Sequence, residues 1–123
     1  MTTLPDNFSL TLAVLAETEP AILIKLFPTN PSIDTAEKLE FDIETAPYFP
    51  ALVQNILKYK QEKTHIVLEL SAVTYIDSTG LHVLHDWHKA LKSDGKRLSL
   101  TQVPDFIKTL LHCVGLDKVL TVL

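Results

Sequence analysis

At 123 residues, 46% hydrophobic and 21% charged, the chain has the length of one domain and enough apolar content to bury a core without disulfides or a metal. Its net charge of −4 argues against nucleic acid as a partner, because that role needs a basic stripe to displace counterions. No stretch nears the roughly 20 apolar residues of a membrane span, and MTTLPDNFSL lacks the basic start and apolar run of a signal peptide, so a cytoplasmic single domain over 1–123 is expected.

Phe8, Leu10, Leu12 and Val14 alternate with Ser9, Thr11 and Ala13, the period-2 pattern of a half-buried strand. Glu17-Thr18-Glu19-Pro20 interrupts it and Ala21 to Phe27 resumes as a second strand, so the chain opens on an antiparallel hairpin. Residues 28–38 (PTNPSIDTAEK) read as an irregular loop with a helical turn after Asp34. LEFD (39–42) then returns to extended backbone. From Thr45 to about Lys60, Phe49, Val53, Ile56 and Leu57 recur at helical spacing. Pro47 and Pro50 fit only the first turn of that helix, where amide protons lack partners anyway.

His65 to Leu70 (HIVLEL) is β-branched and apolar, the pattern of a central strand covered on both faces. Ser71 to Tyr75 reads as a connector, and a second helix runs from about Thr79 to Ser93. On its wheel Leu81, Val83, Leu84, Trp87, Ala90 and Leu91 share the apolar half, opposite His82, His85, Asp86 and Lys89. Asp94-Gly95 ends it, with Gly95 suited to a left-handed cap. Leu98 to Gln102 is a short strand. Pro104 opens a third helix with Phe106, Ile107, Leu110, Leu111 and Val114 on its apolar face, Gly115 stops it, and Val119 to Leu123 closes as a strand. This order predicts an α/β fold: a mixed sheet with a mainly parallel core, right-handed crossovers, the hairpin at one edge, and helices only after residue 45.

In such sheets sites form where loops leave the carboxyl ends of strands. Asp77-Ser78-Thr79-Gly80-Leu81 is the loop there with most chemistry. It sets two hydroxyls at a helix N-terminus, where free N–H groups and the positive dipole end favour an anion. Gly80 is expected to leave the backbone open to a partner or a phosphate. The plainer role is a helix cap by Asp77 or Ser78, worth about 1 kcal/mol. The two roles are compatible, because an exposed helix start also accommodates a phosphoryl group.

Neither GxxxxGK nor GxGxxG occurs, which argues against nucleotide hydrolysis. His82 lies four residues after Ser78 but to the side of the cap, and no GxSxG elbow exists, so a serine hydrolase is not expected. His82, His85 and His88 spread over about 120° of helix surface. With no Cys or carboxylate at a ligand spacing, they read as a solvated face, and neither metal nor cofactor is expected. His65 and His112 read as structural or surface residues. Cys113, the sole cysteine, reads as a small buried thiol.

HIVLELSAVTYIDSTGLHVLHDWHKAL (65–91) resembles the STAS domains of bacterial anti-sigma factor antagonists, whose signature is an apolar strand, a connector, then Asp-Ser-Ser/Thr-Gly-Leu opening a helix. VPDFIKTLLHCVGLDKVLTVL (103–123) is similar to the family's closing helix and strand through Pro104, Phe106, Leu110, Gly115-Leu116 and Val119. LEFDIETAPYF (39–49) is similar to its Gly-Glu-Leu-Asp…Thr-Ala segment, with Asp42 at the aspartate. The resemblance implies a non-catalytic switch. The unphosphorylated antagonist binds a serine-kinase anti-sigma factor of histidine-kinase-like ATPase type, phosphorylation of the serine after the Asp prevents binding, and a PP2C-type phosphatase resets it. By position the phosphoacceptor is Ser78, and Asp42, Asp77, Thr79, Gly80, Leu81 and His82 join it in the partner-binding surface.

Three positions depart from the family. Leu39 stands for the usual glycine, residues 28–38 are an insertion just ahead of it, and His82 replaces a small or apolar residue. The first two are expected at the partner-facing end. The rival expectation is a structural STAS subunit of a transporter or lipid-transport complex, with Ser78 a contact and not a switch.

Overall fold

The computed structural model describes residues 10–28 and 39–123. The strand start at Phe8 and most of the 28–38 insertion, with the turn expected after Asp34, lie outside the described residues. In chain order the elements are β1 (Leu10–Thr18), β2 (Ala21–Pro28), β3 (Glu40–Phe41), α1 (Phe49–Leu57), β4 (His65–Glu69), β5 (Tyr75–Ile76), α2 (Ser78–Ser93), β6 (Arg97–Thr101), α3 (Asp105–Cys113) and β7 (Thr121–Val122). Single 3-10 turns at Ala46–Tyr48 and Leu116–Lys118 precede α1 and β7.

The main sheet has the order β1-β2-β4-β6-β7. β1 and β2 form the expected antiparallel hairpin, and β2, β4, β6 and β7 pair in parallel. Pairing with β2 carries β1 beyond Val14 to Thr18, leaving only Glu19-Pro20 as the turn. A register shift between Val14 and Ala16 breaks the alternation at this edge, which is why Val14 and Leu15 face solvent.

β4 is central, as its composition predicts. Every crossover steps the same way across the sheet, so right-handed connections place all three helices on one face. That face carries Ile22, Ile24, Leu26, Ile66, Leu68, Leu98 and Leu100, all buried. The opposite face, with Leu23 and Val67 half-buried, has no helix on it among the described residues. The expected two-sided cover of β4 is therefore one-sided.

The helix expected from Thr45 divides in two. Pro47 and Pro50 each lack an N–H, so the entry winds as a 3-10 turn and α-helical bonding starts at Phe49. The helix ends at Leu57, short of Lys60, where Lys58 caps it. Tyr75–Ile76, expected as connector, pairs in parallel with β3 as a separate two-stranded sheet. Edge-to-face contacts of Phe49 with Phe41 (5.4 Å) and with Trp87 (5.1 Å) then lock β3, α1 and α2 together, each worth about 1 kcal/mol beyond the area buried.

On α3 only Ile107 and Leu111 are fully buried, while Phe106 and Val114 are exposed, so the apolar stripe is wider than the face the sheet covers. Ala90 of α2 is exposed too. Gly95 (φ 73°) and Gly115 (φ 78°) take the left-handed conformation expected of helix stops. The closing strand shortens to two residues because Leu116–Lys118 winds as a turn. Cys113, expected inside, is exposed at the end of α3.

Candidate functional site

Parallel pairing of Glu40 with Tyr75 and Phe41 with Ile76 brings Asp42 and Asp77, 35 positions apart in sequence, to neighbouring strand ends. Phe41 and Ile76 are buried and fix this pairing. Asp77, in extended conformation, is the N-cap of α2, and its Oδ1 accepts the Gly80 N–H at 2.9 Å. Its Oδ2 accepts the Ile43 N–H at 3.1 Å. One carboxylate therefore caps the helix and clasps the turn after β3. Ser78, released from capping, occupies the first helical position with its side chain exposed. The N–H groups of Ser78 and Thr79 have no acceptor within the helix.

Asp42 shapes the facing turn. Its Oδ1 accepts the Glu44 N–H at 3.0 Å, and its carbonyl accepts the N–H groups of Thr45 (3.2 Å) and Ala46 (2.8 Å). Thr45 is buried because its hydroxyl serves the same turn, accepting from the Asp42 N–H at 3.1 Å and donating to the Glu40 carbonyl.

The structure gives Gly80 a different role from the one expected. A Cβ there would lie 2.1 Å from the Phe41 carbonyl oxygen and 2.8 Å from Ile76 Cγ1. The space beside Gly80 is filled by the protein's own β3 strand, so the glycine permits that packing and is not an opening for a ligand. Leu81 is buried as well. Leu39 points into the core, its N–H donating to Thr74 Oγ1 at 2.9 Å and its carbonyl accepting the Thr74 N–H at 2.8 Å. The glycine-to-leucine departure thus fills the interior and adds nothing to the surface. The solvent-facing part of the site is Ser78, His82, part of Thr79 and Asp42, and Ile43.

Ile43, 69% exposed, is the residue that sequence reasoning passed over. Its signal was an apolar β-branched residue between two acids in a tight turn. His82 Nε2 lies 3.1 Å from Asp86 Oδ2, pairing along the helix and not with Ser78. His85 and His88 join no site: among the described residues no group of three or more His, Cys, Asp or Glu side chains could hold a metal. Burial, then the nearby Lys92 and His85, hold the His88 pKa below the usual imidazole value. His65 contacts Ser99 Oγ through Nε2 at 2.7 Å, and His112 contacts Asp117 at 2.8 Å, both structural pairings. No helix among the described residues is long and apolar enough to cross a membrane.

Fold and loop together define a class: an α/β domain with a mixed, mainly parallel sheet that presents an Asp-Ser-Thr-Gly helix start at the carboxyl end of its strands. Residues 40–122 match the family model described as "Mlab, STAS domain", and the chain belongs to the STAS domain family. It is 34% identical over 84 residues to an anti-sigma-B factor antagonist of Staphylococcus epidermidis, covering 68% of this chain and 75% of that protein. Among solved structures, an anti-sigma factor antagonist from Mycobacterium paratuberculosis superposes with a TM-score of 0.68 at 18% identity, over 98% of this chain and 89% of that one. The anti-sigma factor antagonist SpoIIAA, unphosphorylated, gives a TM-score of 0.57 at 15% identity, over 83% and 82%.

Proposed function

We propose that this chain is a non-catalytic, phosphorylation-controlled anti-sigma factor antagonist, with Ser78 as the residue that is switched. The observation that carries this reading is the division of labour at the start of α2. Asp77 does the capping, so the Ser78 hydroxyl has no structural task and stands exposed at a helix N-terminus. A phosphate there adds about −1.5 to −2 charge and meets the free N–H groups of the first turn, which absorb it without disturbing the fold. The effect falls on binding. A surface shaped for a neutral hydroxyl meets a dianion flanked by Asp77 and Asp42, and a like-charge mismatch at an interface costs several kcal/mol, about a hundredfold or more in affinity. The partners in this reading are a serine-kinase anti-sigma factor, which binds the unmodified form, and a PP2C-type phosphatase, which restores it.

The test takes histidine-kinase-like ATPases from the native host as candidate partners, one of which the reading requires. The cognate kinase should label Ser78 and bind wild type and Ser78→Ala alike, and Ser78→Asp about a hundredfold more weakly. Label on Thr79 or elsewhere with Ser78 unmodified would overturn the assignment. Equal binding by Ser78→Ala and Ser78→Asp would instead favour a structural subunit in which the serine is only a contact.

A further inference from the structure

From the ribbon beside α2, we infer an anchored docking surface whose partner presents a cationic rim around an apolar socket. The inference rests on the reading that a protein docks at the Ser78 loop. In the β3–β5 pair, Phe41 and Ile76 point inward at 2% and 4% exposure, so alternation turns Glu40 and Tyr75 outward. Tyr75 is half exposed, an aromatic side chain whose hydroxyl tolerates water while its ring offers apolar area. Two residues past the end of β3, Ile43 projects at 69% exposure from a turn held at three consecutive residues. Asp77 Oδ2 holds its own N–H, Thr45 Oγ1 takes the Asp42 N–H, and Asp42 Oδ1 takes the Glu44 N–H. A β-branched apolar side chain, stiff at its first torsion and carried on a backbone held this firmly, loses little conformational entropy on docking, which is the property of an interface anchor.

The charge around the anchor identifies the occupant. Segments 39–49 and 74–82, which build this surface, contain Glu40, Asp42, Glu44 and Asp77 and no lysine or arginine. Glu40 and Glu44 are exposed. A complementary protein surface therefore carries Lys or Arg at its rim, speeding encounter, and an apolar recess that receives Ile43 and Tyr75, slowing dissociation. An uncharged or acidic partner would leave the exposed Glu40 and Glu44 carboxylates facing nothing or facing repulsion, with the hydrogen-bonded Asp42 and Asp77 adding to the negative field.

The experiment places a photoreactive benzoylphenylalanine at Tyr75 or, as control, at Tyr59 in the full chain expressed in its native host. Tyr59 is also exposed but follows α1, at the amino end of β4. Crosslinking should occur at position 75 and not at 59, to a partner peptide carrying Lys or Arg beside apolar residues. In the same cells Ile43→Ser, and separately the pair Glu40→Gln/Glu44→Gln, should each reduce that adduct about tenfold. Both changes are at exposed positions, and circular dichroism checks that the variants fold. An adduct with such a peptide from a protein other than a histidine-kinase-like ATPase would leave this surface standing and remove the proposed kinase partner. Equal adducts at 59 and 75, none at 75, an adduct peptide without Lys or Arg, or an adduct at 75 indifferent to the Ile43 and Glu40/Glu44 changes would overturn the surface itself.

Discussion

A single methyl group decides how closely α2 approaches β3. Adding one at Gly80 places carbon 2.1 Å from a backbone oxygen that cannot rotate away. Gly80→Ala should therefore destabilise by about 2 kcal/mol, within the usual range for overpacking, read as a lowered urea midpoint. An unchanged midpoint would mean that β3 yields freely. Asp77 carries two separable tasks. Asp77→Ala removes both the cap and the Ile43 clasp, about 2 kcal/mol together. Asp77→Asn keeps an acceptor for the cap and should lose less than half of that in the same titration. Both residues stand out in the sequence, yet their partners do not. The Phe41 carbonyl and the Ile43 N–H lie more than thirty positions away, and no local pattern announces them.

At the scale of elements, hydrophobic period located all three helices and β1, β2, β4 and β6, because each buries one face and the period follows from that. It failed where burial depends on a distant neighbour. β5 is two residues whose extended form comes from pairing with β3, and the outer residues of the α3 stripe find no cover. The strands also carry a pH dependence. On β4, burial and then the charge of Arg97 hold the His65 pKa below its ordinary 6.5, and His88 of α2 shifts the same way. A histidine with a lowered folded pKa takes up its proton more readily in the unfolded chain, so stability is lost as pH falls below about 6.5. Burial pushes the Glu69 carboxyl up, but its hydrogen bonds from Ser71 and the Lys25 charge outweigh that and hold it below its ordinary 4.5. Its contribution is lost only in more acid solution. Between pH 7.5 and 5.5 the urea midpoint should fall for wild type and fall less for His65→Gln/His88→Gln. Parallel slopes would refute the assignment.

Over the whole molecule, the contacts among Phe41, Phe49 and Trp87 tie the site to the core. Phe41→Ala should cost about 3–5 kcal/mol, as for other buried aromatics, with Trp87 fluorescence reporting the shifted transition; a loss under 1 kcal/mol would show that the site ribbon is not coupled to the fold. Read alone, the sequence determined the α/β class, the order of the elements other than β5, the helix stops at Gly95 and Gly115, and the loop at Asp77-Ser78, since each is written in neighbouring residues through periodicity, capping and turn chemistry. Tertiary structure alone decided that Asp77 and not Ser78 caps α2, that Gly80 and Leu39 serve the interior, that among the described residues helices cover the main sheet on one side only, and that Ile43 stands out beside the serine. The one-sided cover follows from crossovers that all step the same way across the main sheet; the others depend on which residues the pairing of β3 with β5 brings beside α2, and a register of two short strands leaves no periodic trace in the chain.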